Sequence, residues 1–246
     1  MSPKRTAPPA AVSFDVTGTL LGLPRLGEVY AEAFARHGIP APAPALAAMV
    51  REVWQEVSVR TGLGECRFTS HPEGAKGFWR DFVDRVAARL EVPAPTPFLA
   101  AELYERFARA DAWEVFPDVG DALDALRAAG VRLAVASNFD PRLPRLLAAT
   151  GLASRFEAVV YSAEVGVEKP HPALFEELLE ELRLPAAAVV HVGDSRRDDV
   201  EGALAVGMRA LWLTRGSPRG DLASLGELPA RLLAMPAGGA AGSRRW

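Results

Sequence analysis

Beyond residue 113 the chain repeats one texture: a short apolar run, a stretch with helical apolar spacing, then another apolar run. The runs are 131–136, 156–161, 188–192 and 209–213. Helical stretches at about 118–129, 141–150, 172–183 and 198–206 alternate with them. Runs that are apolar on both faces, alternating with helices, predict a parallel sheet covered by helices on both sides. An earlier run, about 11–16, has the same character and belongs with that half. The predicted fold class is therefore α/β, a doubly wound parallel sheet with a Rossmann-like core. Ligands in such sheets bind beyond the carboxyl ends of the strands.

Residues 22–112 differ. They read as four helices, about 24–37, 44–60, 75–91 and 97–110, joined by loops, with no convincing strand. The predicted organisation is a core of 11–21 and 113–215 with an all-helical domain, 22–112, inserted into it. Residues 1–10 and 220–246 are expected to be disordered or loosely attached, apart from a short helix at 228–233.

Composition excludes several classes. The net charge is −3 and no long basic run occurs, so neither nucleic acid nor a membrane surface is an expected partner. Cys66 is the only cysteine, which leaves no intrachain disulfide and no cysteine metal cluster. No secretory leader is readable and no apolar run approaches the ~18–20 residues of a membrane span. A cytoplasmic protein, monomeric or weakly dimeric, is expected. Of the 28 basic residues only Lys4, Lys76 and Lys169 are lysines, so each lysine invites a chemical reason.

The strand ends supply one. The first strand ends at Asp15, followed by Thr17, Gly18 and Thr19. The 131–136 strand ends at Ser137 and Asn138. The loop after 156–161 carries Lys169-Pro170, and the 188–192 strand ends at Gly193-Asp194, with Asp198 and Asp199 close behind. Each residue alone has a dull explanation as a cap or a solvated charge. On one parallel sheet all four sets converge on a single rim. Attack by a carboxylate on an anionic phosphoryl group needs the repulsion offset. A hard cation such as Mg²⁺, held by oxygen ligands, does this. A lysine places a compact charge between two carboxylates better than a planar guanidinium does.

This set of motifs resembles the haloacid dehalogenase-like hydrolase superfamily. The first motif is similar to Asp15-Val16-Thr17-Gly18-Thr19, the second to Ser137, the third to Lys169-Pro170, and the fourth to Gly193, Asp194 and Asp199. Order and spacing cover about 11–215, and the helical insertion is similar to the family's cap. Residues 14–20 together with Ser137-Asn-Phe-Asp140 more narrowly resemble the subgroup named haloacid dehalogenase-like hydrolase domain-containing protein 3. The resemblance implies an aspartate nucleophile, Asp15, and an aspartyl-phosphate intermediate formed from a small phosphorylated metabolite. It implies Mg²⁺ on Asp15, Asp194 and the Thr17 carbonyl, with Asp198 and Asp199 behind them. Phosphoryl oxygens would lie against Ser137, Asn138, Lys169 and the N–H groups near Gly18 and Thr19.

One position departs from the pattern. The family's phosphatases carry a second aspartate two residues after the nucleophile, and Thr17 stands there. A threonine hydroxyl is no general acid at neutral pH, and such catalysis is worth ~10²–10⁴-fold. Three readings stay open: a slow phosphohydrolase restricted to good leaving groups; an acid supplied from the helical insertion, with His71 and Glu73 as candidates; and a protein that binds a phosphate ligand or partner without turnover. Carbon–halogen hydrolysis is a weaker option, because Thr17 and the acidic fourth motif do not suit it. Trp54, Phe78 and Trp79 fall on apolar helical stripes and are expected in the core of the insertion rather than on a pocket. His191 is expected to be structural.

Overall fold

The computed structural model describes residues 8–60, 64–91 and 97–234. The chain runs β1 (Ala11–Phe14), β2 (Leu21–Gly22), α1 (Leu26–Arg36), α2 (Ala43–Arg60), α3 (Gly74–Ala88), α4 (Pro97–Arg106), β3 (Glu114–Val115), α5 (Val119–Ala128) and β4 (Arg132–Ser137). It continues through α6 (Leu143–Ala149), β5 (Ala158–Tyr161), α7 (Ser162–Val165), α8 (Pro172–Leu182), β6 (Val189–Gly193), α9 (Gly202–Ala205), β7 (Arg209–Trp212) and α10 (Leu228–Ala234).

Five strands form one parallel sheet in the order β5-β4-β1-β6-β7. β1 is central, and all four of its residues are buried, as a strand covered on both faces requires. The two-residue period assigns each side chain to a face. Val12 and Phe14 point into a cluster with Leu123, Leu133, Val135 and Val192. Ala11 points to the opposite cluster, with Ala134, Val160, Phe175 and Val189. Complete burial of a side chain such as Phe14 contributes about 1.5–3 kcal/mol.

Helices α1 to α4 build a third cluster of their own. Val29, Tyr30, Ala33 and Phe34 of α1 recur at helical spacing and pack with Leu46, Val53, Phe82, Val86 and Leu99. Where the chain leaves and re-enters the sheet region, β2 and β3 pair antiparallel, Leu21 opposite Val115 and Gly22 opposite Glu114. The two crossings are thus stitched to each other.

Two expectations are corrected here. The segment from 220 is not a loose tail through residue 234. Leu222, Leu225, Leu228 and Leu232 are buried against α5 in the main core, because their leucine spacing gives α10 and the turn before it an apolar face. Residues 1–7 and 235–246, parts of both expected tails, lie outside the described residues; Ala10 is tied down, its N–H donating to the Ala188 carbonyl (2.9 Å). The expected helix at 198–206 begins as a π-helical segment, Arg196–Glu201, before α9. The Ser195 carbonyl accepts from both Asp199 N (3.0 Å) and Val200 N (3.3 Å), and that shared acceptor widens the turn. Among the described residues no helix is long and apolar enough to cross a membrane.

Candidate active site

The residue after β1 is Asp15. Its N–H donates to the Val192 carbonyl of β6 (2.9 Å), so the sheet ladder itself fixes the carboxylate at the rim. The chain then folds back sharply. Thr19, Leu20 and Leu21 all donate N–H groups to the Val16 carbonyl, and Gly18 N donates to the Leu21 carbonyl (2.8 Å). Gly18 has φ +85°, the left-handed region, and a Cβ there would stand 2.2 Å from Asp194 Oδ2. Gly193 does the same for the other carboxylate: its Cβ would lie 2.1 Å from Asp199 Cγ. Each glycine of the two motifs clears the space one aspartate occupies.

Lys169 joins the strand ends. Its Nζ donates to Asp15 Oδ1 (2.7 Å), Asp199 Oδ1 (2.6 Å) and the Ala136 carbonyl (2.8 Å). Three donors meet three acceptors, a point-charge geometry that a planar guanidinium could not reproduce. Ser137 Oγ donates to the same Asp15 Oδ1 (3.0 Å). Asp199 also accepts from Ser195 N (2.8 Å), and His191 Nε2 lies 3.2 Å from its Oδ1. With Nε2–H directed at the carboxylate, His191 Nδ1 accepts from Ser13 Oγ (2.9 Å). Burial holds the imidazole below its ordinary pKa, so His191 is a neutral strut beneath the rim.

The carboxylates differ in charge state. Burial would raise Asp199, but Lys169 and His191 hold it well below the usual range. For Asp15 burial outweighs the lysine, and Asp199 adds to the upward push. Lys169 is lowered by burial but raised further by the two carboxylates, so it stays charged. Asp194 faces the cavity yet sits among protein atoms; desolvation, then Asp15 and Asp199, push it up to about 7. Oxygens of Asp15, Asp194 and Asp199 lie within 4.8 Å of one another, facing a single lysine charge. That surplus of negative oxygen suits a hard divalent cation. Asp199 is already committed to Lys169, Ser195 and His191, so Asp15 and Asp194 are the carboxylates available to such an ion. Thr17 is exposed on the same cavity wall.

Other expected site residues have different places. Thr19 is completely buried, its hydroxyl has no partner among the described residues, and its N–H is spent on the turn, so it does not face a ligand. The Gly18 N–H is likewise used inside the loop. Asn138 lines the cavity, but its amide clamps the Lys169 backbone, Nδ2 to Lys169 O (3.0 Å) and Lys169 N to Oδ1 (2.6 Å). It positions the lysine loop rather than presenting its amide freely to phosphoryl oxygens. Asp198 bonds Ser195 Oγ (3.2 Å) and does not reach Lys169. His71 and Glu73 engage Asp81 and Arg80 and do not line the cavity.

Above the rim is a half-open cavity of about 780 Å³, lying between the strand ends and helices α1 to α3. Trp54 and Trp79 line it, against expectation; Phe78 does not. Two polar bridges cross it. Arg67 pairs bidentately with Glu168, the residue before Lys169, at 2.7 Å for both bonds. Trp79 Nε1 donates to Asp140 Oδ2 (2.6 Å), and Arg142 pairs with the same carboxylate while lying over the Trp79 and Tyr104 rings. Sequence reasoning missed both, since their members stand 101 and 61 residues apart. It also missed Arg215, which donates to the Gly18 and Thr19 carbonyls, pairs with Asp118 at 3.0 Å and covers the Phe116 ring. Nothing near Arg215 in the chain signals that task.

A family model described as haloacid dehalogenase-like hydrolase matches residues 9–207. Haloacid dehalogenase-like hydrolase domain-containing protein 3 of Danio rerio is 34% identical over 232 residues, covering 90% of this chain and 95% of that protein. A phosphoglycolate phosphatase of Pectobacterium atrosepticum is 30% identical, covering 88% and 85%. Among solved structures, a HAD phosphatase from Thermococcus onnurineus superposes with TM-score 0.62 at 26% identity, covering 90% of this chain and 97% of that one. A 2-haloacid dehalogenase from Pseudomonas syringae pv. Tomato DC3000 does so with TM-score 0.59 at 26% identity, covering 90% and 97%.

Proposed function

The chain belongs to the haloacid dehalogenase-like hydrolase family, and from that premise we propose a Mg²⁺-dependent phosphohydrolase that acts on a small phosphorylated metabolite through Asp15. Membership and the phosphatases among its relatives make it a hydrolase of phosphatase type. The observation that carries the finer reading is the Asp15–Lys169–Asp199 chain with Asp194 beside it.

Asp15 and Asp194, with the Thr17 carbonyl, are the residues that would hold the ion. When bound it offsets the repulsion between the Asp15 carboxylate and an incoming phosphoryl group. The chain's own residues do the rest. Lys169 and Ser137 pin one Asp15 oxygen and fix the carboxylate's direction. An Asp15 oxygen forms a bond to phosphorus while the bond to the leaving oxygen breaks, and that oxygen departs with the electron pair. Water then attacks the aspartyl phosphate, releasing phosphate and restoring Asp15. The Lys169 charge, held in place by its bonds to Asp15, Asp199 and the Ala136 carbonyl, stabilises the negative phosphoryl group through space. Asp199 keeps Lys169 charged and aimed.

Thr17 supplies no proton to the leaving group, so turnover is slow or limited to leaving groups that depart as stable anions. The helical block 22–112 serves as the cap, with its hinges at the β2–β3 crossings, excluding water and selecting the substrate. Thr17 also favours a second reading, phosphate binding without turnover. The three clustered carboxylates argue against carbon–halogen hydrolysis, which needs no divalent ion. Hydrolysis of p-nitrophenyl phosphate with and without Mg²⁺ tests the proposal. Turnover should be lost in chelator and in Asp15→Asn. Turnover that survives both, or none under any condition, refutes it.

A further inference from the structure

We propose that the phosphate-bearing ligand of this cavity carries an aromatic ring next to its ester oxygen, an aryl phosphate in chemical class, and that Trp54 is the residue that selects it. This rests on the phosphohydrolase reading and names its substrate class.

Three observations converge. The first is the wall. About 780 Å³ lies within the size range of pockets that enclose drug-sized ligands, and a two- or three-carbon acid would leave most of it empty. Trp54, Trp79 and Phe107 present part of their rings on its helical side, with Tyr30, Phe68 and Phe82 buried behind them. Trp54 is 39% exposed, one of few large apolar side chains among the described residues left so, and its ring lies parallel to Trp79 (8°, centroids 6.0 Å apart). The Arg67 guanidinium lies over the same ring, 4.9 Å from its centroid, so the part of the indole left exposed is what a second ring can pack against.

The second is charge. A substrate such as a phosphorylated hydroxy acid brings a carboxylate as well as its phosphate, and needs a cation for it. The buried cations on this wall are occupied: Lys169 by Asp15 and Asp199, Arg142 by Asp140, Arg67 by Glu168. Arg51 and Arg197 are exposed, where water and salt weaken any contact. The inner cavity therefore welcomes a ring and offers a carboxylate little.

The third is Thr17. Without a general acid, the leaving oxygen must carry its electron pair away as an anion. A phenolate does this and takes its proton afterwards from water; an alkoxide does not. An acyl phosphate meets this condition, but the aromatic wall does nothing for it.

Titration calorimetry of the whole protein in Mg²⁺ with phenylphosphonate and methylphosphonate tests the proposal, because neither probe is hydrolysed. Phenylphosphonate should bind roughly tenfold tighter, the scale of one aromatic contact added to burial of a ring. Trp54→Ala should cut that ratio to about two, and Trp54→Phe should keep most of it. In turnover, Trp54→Ala should lower kcat/KM for p-nitrophenyl phosphate relative to acetyl phosphate, through KM. Equal affinities in the unmodified protein, or a loss in Trp54→Ala equal for both probes, overturns the aromatic assignment. Phenyl preference with no turnover of either ester supports that assignment and sinks the hydrolytic reading instead.

Discussion

Replacing Lys169 by methionine tests the electrostatic account of the rim directly. In the native chain the ammonium is almost completely buried and satisfied by Asp15, Asp199 and the Ala136 carbonyl. Methionine keeps the length and removes the charge, leaving two buried carboxylates facing each other. Breaking a buried pair from one side costs about 3–5 kcal/mol. For a chain of this size each kcal/mol lowers Tm by about 2–4 °C, so a fall of about 6–20 °C is expected, read by circular dichroism in chelator at pH 7.5. The pH dependence fixes the cause. In the native protein Asp199 is held low, so its contribution is present above its unfolded pKa and is lost only as pH falls through the lower folded value. Lys169 is held high, so its contribution is present below its unfolded pKa and is lost as pH rises through the folded value. Between pH 5 and 9 both contributions are complete. In Lys169→Met both carboxylates lose their cation and burial raises them, a penalty that protonation relieves. The gap to the native protein should therefore narrow as pH falls from 8 to 5, and adding Asp199→Asn should recover part of it. A loss under about 1 kcal/mol, or a gap that stays constant with pH, refutes the argument that the lysine is held by these two charges.

Other substitutions probe other parts of the site. Thr17→Asp places a carboxyl on the cavity wall beside Asp15, and kcat/KM on an alkyl phosphate should rise by ~10²-fold, with a smaller gain on p-nitrophenyl phosphate; equal gains on both would show that leaving-group protonation is not what Thr17 withholds. Gly18→Ala forces φ +85° on a residue with a Cβ and drives that carbon to 2.2 Å from Asp194 Oδ2. It should cost at least about 1–2 kcal/mol in urea unfolding and weaken Mg²⁺ binding in calorimetry, whereas unchanged Mg²⁺ affinity would remove Asp194 from the ion's shell. Because Asp194 is pushed up to about 7, Mg²⁺ must displace its proton at lower pH. Apparent affinity should then fall about tenfold per pH unit below that value, and a flat profile from pH 5 to 8 would count against Asp194 as a ligand.

Much of this protein was legible along the chain. Strand runs apolar on both faces can satisfy their backbone and bury their side chains in few ways, so the alternating pattern fixes a parallel sheet. That sheet places Asp15, Ser137 and Asp194 on one rim because strand ends sit where strands end, whereas Lys169, in the loop between α7 and α8, reaches the rim through its long side chain. Gly18 and Gly193 were readable as glycines, but their reason was not: each yields space to a carboxylate supplied from another part of the chain. Thr19 and the Gly18 N–H looked available for a phosphate, and the tight return onto Val16 O consumed them. Asn138 was drawn to the Lys169 backbone by a partner 31 residues away. Trp54 and Trp79 share the helical spacing of core residues, and a spacing states which side of a helix is apolar without saying what faces it. The Arg67–Glu168 and Trp79–Asp140 bridges, the Arg215 clamp on the Asp15 loop and the docking of α10 are contacts between distant segments. Local propensity and periodicity carry no information about such meetings, since a side chain's partner is chosen by which surfaces the folded chain brings within a few ångströms. The sequence by itself determined the sheet and the residues on its rim; the tertiary structure alone decided which were free to act and what shape of ligand the space above them admits.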